Sequence, residues 1–279
     1  MTTGSYMYIG PQGIVHGTTI TCLNAFRKIK ESPTGNIFVT SGLGGMSGAQ
    51  PKAGNIAGCI TICAEMNSKA VHTRHSQGWV DVVVKNTADL ITRVEQAQEN
   101  KETVSIAFEG NIVHVWEALY EASIHVSIGS DQTSLHNPWA GGYYPVDLSF
   151  EASNEMMSKE PDQFKIEVQK SLRRHVEAIN KHTEKGTYFF DYGNAFLLES
   201  SRAHADIVGV DKEFRYSSYV QDIMGPMCFD YGFGPFRWVC ASNDPEDLKK
   251  TDQIATDVLE RLSKNAPERI QQQMQDNIK

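Results

Sequence analysis

Short apolar runs rich in β-branched residues alternate with longer helical stretches along much of the chain, and no other feature constrains the fold as strongly. The strand-like runs cover residues 36–40, 59–64, 80–84, 103–108, 124–128 and 188–190. Helical spacing of apolar residues occurs between them, over residues 49–57, 88–98 and 112–122. Because strands that alternate with helices in this way form βαβ units, we predict an α/β fold with a Rossmann-like parallel sheet and helices on both faces.

The alternation stops after Ser130, where the organisation of the chain changes. Residues 131–145 form a polar, Gly- and Pro-containing stretch that is too long for a simple connection, and residues 161–181 have the apolar spacing of an amphipathic helix. Residues 216–240 have a loop-rich composition, and amphipathic helix is predicted from Pro245 onwards. We therefore predict a lead-in from a core domain over residues 1–30, a Rossmann-like domain over residues 31–215, and a helical and loop-rich return segment of the core domain over residues 216–279.

Composition excludes several classes of function. The chain of 279 residues has 26 basic and 34 acidic residues, a net charge of −8, and no basic cluster longer than Arg173-Arg174, which disfavours nucleic-acid binding. Its apolar runs are too short for a membrane span, and no signal peptide is predicted at its start. The five cysteines lie mostly in apolar stretches, which is typical of reduced thiols in a cytoplasmic protein, and no metal site is expected.

A glycine-rich segment follows the first predicted strand, with the spacing Gly42-x-Gly44-x-x-x-Gly48. Glycines at such a strand–helix turn let the backbone approach a pyrophosphate, although a simple tight turn would also explain them. The next predicted strand ends at Glu65, about 20 residues further on, where such folds place the acid that binds an adenosine ribose. Loop and acid together predict binding of NAD, and the acid disfavours the 2′-phosphate of NADP.

Five segments dense in polar, glycine and aromatic residues carry a resemblance to one family, the urocanate hydratases (urocanases). They are Tyr8-Ile-Gly-Pro-Gln-Gly-Ile-Val-His-Gly-Thr18, Ser41-Gly-Leu-Gly-Gly-Met-Ser-Gly-Ala-Gln-Pro51, Gly129-Ser-Asp-Gln-Thr-Ser-Leu-His-Asn-Pro138, Phe190-Asp-Tyr-Gly-Asn194 and Gly232-Phe-Gly-Pro-Phe-Arg-Trp238. The resemblance covers essentially the whole chain, with the segments in the family's order. It implies a cytoplasmic lyase of histidine breakdown, expected to be a homodimer, in which tightly bound NAD+ is not consumed. NAD+ acts there as an electrophile that activates the imidazole ring of urocanate for addition of water, giving imidazolonepropionate.

The resemblance also implies roles for individual residues. Carried over by motif, the cofactor-binding set is Gly45, Met46, Ser47, Glu65, Asn111, Ile112, Gln132, Thr133, Ser134, Leu135, His136, Tyr143, Tyr144 and Tyr192. The catalytic set is Thr133, His136 and Arg237. Arg237 is expected to bind the substrate carboxylate because a guanidinium fork matches it, with a surface ion pair as the alternative role. Ala70 stands where the family usually has an arginine, which puts one cofactor contact in doubt.

Two alternative functions stay open at the level of sequence. The same loop would serve an ordinary NAD-dependent dehydrogenase, or a fragment that binds the cofactor without turnover. The family's active-site cysteine matches none of the five cysteines, so we expect this chain to be part of a longer protein and to hydrate urocanate slowly on its own. His16 and His136 both titrate in a useful range, and either can move protons.

Overall fold

The computed structural model of the chain describes residues 10–234, 238 and 240–279. Within these residues six short strands form a single sheet in which every pairing is parallel. The strands are β1 (Ile37–Ser41), β2 (Ile60–Glu65), β3 (Val82–Val84), β4 (Val104–Glu109), β5 (Ile128–Gly129) and β6 (Tyr188–Phe189). Their order across the sheet is β3-β4-β2-β1-β5-β6.

Helices connect these strands and continue beyond the last of them. They are α1 (Gly10–Ile29), α2 (Gln50–Ala57), α3 (Ser68–Ser76), α4 (Thr87–Asn100), α5 (Ile112–Glu121), α6 (Phe150–Lys159), α7 (Pro161–Thr183), α8 (Phe196–Arg202), α9 (Gly225–Met227), α10 (Pro245–Ser263) and α11 (Glu268–Ile278). A π-helical segment, Val220–Met224, directly precedes α9.

Both faces of the sheet are buried, which explains why its strands have near-continuous apolar sequences. Ile37 and Val39 point to one face and belong to the large core that includes side chains of α4, α5 and α7. Phe38 points to the opposite face, where it packs with Phe26 of α1. The predicted class, an α/β fold with a Rossmann-like parallel sheet and helices on both faces, is therefore confirmed.

The structure differs from the sequence-based expectation at β5. A strand was expected over residues 124–128, but β5 has only two residues and pairs with β1 at two register positions. Gly129 explains the close packing there, because a Cβ at this position would lie 2.5 Å from the ring of Trp116. The remainder of the expected strand, residues 124–127, lies outside the sheet, although Val126 is buried in the core.

Helix α1 was not predicted, because glycine and threonine are weak helix formers. In the structure Thr19 Oγ1 donates to the carbonyl of Val15 at 2.9 Å, and Thr21 Oγ1 donates to that of Gly17 at 2.8 Å. These bonds satisfy hydroxyl groups that α1 buries against the protein. Burial in the tertiary fold therefore decides this helix against its intrinsic propensity.

The C-terminal helices return to α1. On α11, Gln273 and Asn24 exchange two side-chain hydrogen bonds of 2.7 and 3.1 Å, and Asp276 accepts from Arg27 at 2.8 Å. Among the described helices, none combines the length and apolar character that crossing a membrane requires. The five cysteines are free thiols, and four of them are buried.

The sheet order creates a crevice at one place. From β1 the chain moves to β2 on one side, whereas β5 and β6 pair on the other side, so the direction of winding reverses between β1 and β5. In open α/β sheets ligands bind at the carboxyl ends of the strands at such a switch point. The segments that follow β1, β2, β5 and β6 therefore lie along the edge of the sheet where a ligand would bind.

Candidate functional site

The glycine-rich loop leaves β1 and leads through a 3-10 turn, Ser47–Ala49, into α2. Gly42 has φ +89°, and a Cβ there would lie 2.8 Å from Ser47 Oγ, so the turn requires glycine. Ser47 Oγ accepts from the Gly44 N–H at 3.0 Å. At the tip, the N–H groups of Gly45 and Met46 have no acceptor among the described residues, and no described atom lies within 4 Å of a Cβ built on Gly45. Free N–H groups ahead of a helix suit an anion.

Glu65 connects this loop to the end of β2. Its Oε2 accepts from the Leu43 N–H at 2.8 Å, and its Oε1 accepts from the Asn67 N–H at 2.8 Å. Burial raises the pKa of the Glu65 carboxyl, and hydrogen bonds from backbone N–H groups oppose that shift. Because each carboxylate oxygen has a second lone pair, Glu65 can still accept from a ligand hydroxyl.

Arg74 of α3 brings a positive charge to the same loop. Its guanidinium donates to the carbonyls of Leu43 at 3.2 Å and Gly44 at 2.6 Å, and it stacks on the Trp79 ring at 5.1 Å. A Cβ on Gly48 would lie 2.2 Å from Arg74 Nε, so this glycine makes room for the guanidinium. Arg74 therefore holds the loop, while Ala70 is partly buried in a small apolar cluster on the same helix.

Asp131 organises the segments beyond β1 and β5. It is 1% exposed, and it accepts from Thr133 N at 3.0 Å, Thr133 Oγ1 at 2.5 Å, Asn194 Nδ2 at 2.8 Å and Ser41 Oγ. Asn194 Nδ2 also donates to the Thr133 carbonyl at 2.8 Å. Because Thr133 gives its hydroxyl hydrogen to Asp131, its oxygen can only accept from a ligand.

Asp191 lies at the end of β6, next to this network. Its Oδ2 accepts from the Gly193 N–H at 3.1 Å, whereas Oδ1 is buried and has no hydrogen-bond partner among the described residues. Burial raises the pKa of the Asp191 carboxyl to about 6; the Gly193 N–H opposes this shift, and the negative charge of Asp131 adds to it. A buried acceptor without a donor is costly, so this oxygen suits a donor or a cation from outside the described chain.

Several predicted cofactor residues lie mainly inside the protein. Ile112 and Leu135 are core residues, and Asn111 caps α5 while donating to the Tyr144 carbonyl at 3.0 Å. Tyr143 is 2% exposed, and its hydroxyl lies 3.2 Å from Nδ1 of His175, whose pKa burial lowers to about 4.

The other predicted residues lie nearer the surface. Tyr144 donates to Asn154 at 3.3 Å, and Tyr192 donates to Thr18 at 3.1 Å while its ring stacks on Tyr219. Gln132 is half-buried, and Ser134 and His136 are exposed on the loop. The predicted catalytic Arg237 lies outside the described residues. The structure thus brings together Glu65 with the loop, and Thr133 with the ends of β5 and β6.

Sequence reasoning missed four residues that organise this site: Arg74, Asp131, Asp191 and Asn194. The last three occur inside segments singled out for their polar character, but nothing in their spacing linked residue 131 to residues 191 and 194. The link is the pairing of β5 with β6, which joins Ile128 to Tyr188. For Arg74 the sequence contains no comparable signal, because it lies nine residues beyond Glu65, in the last turn of α3.

A parallel sheet with a glycine-rich loop and an acid at its carboxyl edge is typical of the Rossmann-like class of nucleotide-binding domains. The family model described as the urocanase Rossmann-like domain matches residues 10–223, and that of the urocanase C-terminal domain matches residues 226–279. The chain therefore belongs to the urocanase family, which confirms the resemblance. A Rossmann-like urocanase domain suggests a nucleotide cofactor.

Individual relatives agree with the family assignment. The chain is 54% identical to a probable urocanate hydratase of Caenorhabditis elegans, 57% to one of Dictyostelium discoideum and 52% to the urocanate hydratase of Mus musculus. These matches cover 100%, 99% and 100% of the chain, but 42%, 42% and 43% of the three relatives. The chain thus spans less than half the length of these relatives.

Proposed function

We propose that the chain binds NAD+ across the carboxyl edge of its sheet and forms the cofactor part of a urocanate hydratase, a hydro-lyase that acts on urocanate. The observation that carries the proposal is the pairing of the glycine-rich loop with Glu65. Donors at the tip of that loop face a pyrophosphate, and an acid bonded to the same loop accepts from a ribose. When bound, NAD+ supplies an electrophilic, positively charged ring.

The residues present fit that cofactor. The N–H groups of Gly45 and Met46 would hold the pyrophosphate, Arg74 would add positive charge beside it, and Glu65 would accept from the adenosine ribose. Thr133 and Asn194, on the other side of the switch point, would hold the nicotinamide half. Because Thr133 can only accept, it binds an N–H donor such as a carboxamide. Asp131 keeps Thr133 in that orientation.

Reaction with urocanate needs further groups that exclude water and bind the substrate carboxylate. Arg237 is our candidate for the carboxylate, and His136, which is exposed on the loop after β5, is our candidate for proton transfer. The proposed task of the chain's own residues is to position ligands, which is worth several kcal/mol in a reaction between bound partners.

Calorimetric titration of the chain with NAD+ tests the cofactor assignment. We expect one site that is lost when Gly45 alone is replaced by a bulky residue, while folding is retained, because no described atom lies within 4 Å of a Cβ built there. Absence of binding would overturn the proposal. Turnover is followed by the loss of the urocanate absorbance band. Growth of absorbance near 340 nm would instead identify an NAD-dependent dehydrogenase, and binding without either change would identify a cofactor-binding part without turnover of its own.

Besides NAD+ and the site residues, four further predictions from the sequence are proposals. These are the role in histidine breakdown, the cytoplasmic location, the homodimer, and the division into residues 1–30, 31–215 and 216–279. The proposed cytoplasmic location rests on cysteines that lie mostly in apolar stretches, which is typical of reduced thiols.

A further inference from the structure

Two carboxylates lie side by side at the β5–β6 end of the carboxyl edge, and they differ in how well their charge is compensated. Asp131 accepts from four donors. Asp191, which is 9% exposed, accepts from the single N–H of Gly193, and its buried Oδ1 has no partner among the described residues. The uncompensated negative charge at this end therefore belongs to Asp191.

Sheet order determines which half of a bound dinucleotide meets this charge. Glu65 ends β2, on one side of β1, and the two aspartates follow β5 and β6, on the other side. With the adenosine at Glu65 and the pyrophosphate at the loop after β1, the nicotinamide half lies toward β5 and β6. The nicotinamide ring carries a positive charge in NAD+ and none in NADH.

We propose that Asp191, supported by Asp131, is a specificity-determining residue that favours the oxidised cofactor, because its charge stabilises the cationic nicotinamide ring over the neutral ring of NADH. The inference rests on the proposed binding of NAD+ and adds a selectivity that the loop and Glu65 do not supply. The loop and Glu65 would contact only those parts of the cofactor that NAD+ and NADH have in common. Only a charge at the nicotinamide end distinguishes the two oxidation states.

The groups that face Asp191 support this assignment. Asp131 adds negative charge, and Tyr219, whose pKa burial and the charge of Asp191 raise, is neutral near pH 7. The backbone of residues 217 and 219 pairs with that of Asp191, and Tyr192 contacts α1 through Thr18. His16, which is partly buried, lies two residues before Thr18 on α1.

The test compares three ligands and two variants by calorimetry: NAD+, NADH, and ADP-ribose, which lacks the nicotinamide ring. Asp191→Asn keeps the shape and an acceptor for Gly193 but removes the charge. We expect it to lower the ratio of NAD+ to NADH affinity by about three- to tenfold, as for one unit charge several ångströms from the ring in a partly solvated site. Affinity for ADP-ribose should be unchanged. Glu246→Gln on α10, in an exposed ion pair with Lys249, is the matched charge control.

Each outcome supports or overturns the inference. An unchanged ratio in Asp191→Asn, or equal losses for all three ligands, overturns it while leaving the proposed cofactor site intact. Failure of the unsubstituted chain to bind any of the three overturns both. If Asp191→Asn does not fold, the affinity ratio of the unsubstituted chain is measured between about pH 7.5 and about pH 5.5, where protonation of Asp191 should lower it. A ratio independent of pH would then overturn the inference. In a folded Asp191→Asn variant, the pH response that remains measures all groups other than Asp191.

Discussion

The two ends of the carboxyl edge hold their acids in opposite ways. At the β2 end, each oxygen of Glu65 accepts from a backbone N–H, so the carboxylate is bonded into the loop it serves. At the β5–β6 end, Asp131 accepts from four donors and Asp191 from one, and among the described residues one buried oxygen of Asp191 has no partner. Burial alone therefore does not determine whether a carboxylate serves structure or ligand binding. An acid with all its partners in the chain organises structure, and an acid that lacks them is ready for a ligand.

That contrast separates stability from binding in a testable way. Asp131 and Glu65 should be costly to remove because donors in the protein lose their acceptor. Asp191 should be cheap to neutralise, because its charge is buried without compensation. Substitutions at Asp131, Glu65 and Asp191 test these two expectations.

The largest effect is expected from Asp131→Ala. It removes an acceptor from the buried Ser41 and from the half-buried Thr133 and Asn194, so the free energy of unfolding should fall by about 3–5 kcal/mol. Urea denaturation followed by circular dichroism measures the loss. Asp147→Ala is the matched control, because Asp147 forms only exposed ion pairs and should cost less than about 1 kcal/mol. Equal losses in the two variants would contradict the organising role of Asp131.

A smaller effect, on binding, is expected from Glu65→Ala. The variant loses the proposed ribose acceptor and the bond to the Leu43 N–H, so NAD+ affinity should fall by roughly 1.5–3 kcal/mol, or about ten- to 150-fold. Calorimetry with NAD+ measures it. Glu109 is the ladder partner of Glu65 but interacts with Lys85 and His72 and not with the loop, so Glu109→Ala should bind nearly as the unsubstituted chain does. Equal weakening by both variants would show that general charge near the β2 end, and not Glu65, binds the cofactor.

The two ends of the edge also differ in how far they can be predicted from the sequence. The sheet and its flanking helices follow from local alternation of apolar residues, since strands such as β1 and β2 are buried on both faces. The β2 end of the site was predictable as well, because glycines near residues 42–48 and an acid at the end of the next strand are separated by a fixed, short distance in sequence. The structure adds the bond from Glu65 to Leu43, which joins the two signals.

The β5–β6 end depends on distant pairings that local patterns do not reveal. Asp131 and Asn194 are 63 residues apart in sequence, and they meet because the two-residue strands β5 and β6 align. Strands this short give almost no periodic signal, and β5 was expected four residues too early for the same reason. Helix α1 was not predicted for a related reason. Its threonine hydroxyls donate to carbonyl groups of the same helix, which makes their burial possible, and a local sequence pattern does not reveal this.

The smallest effect concerns the pH dependence of stability in Asp191→Asn. The pKa of Asp191 is about 6 in the folded chain, against about 3.9 for an unperturbed aspartate. Between these values the folded state binds more protons than the unfolded state, so this group makes stability fall as pH rises. Asparagine does not titrate. The free energy of unfolding of the variant, relative to that of the unsubstituted chain, should therefore rise by about 1.5 kcal/mol between about pH 4.5 and about pH 6.5.

Urea denaturation of both proteins across that range measures the difference between their free energies of unfolding at each pH. Titrating groups that the two proteins share cancel in this difference. Glu246→Gln should track the unsubstituted chain, because the exposed ion pair of Glu246 with Lys249 contributes little to stability. A difference that stays constant with pH would mean that Asp191 is compensated in the folded chain. It would then resemble Glu65, and the contrast between the two ends of the edge would be lost.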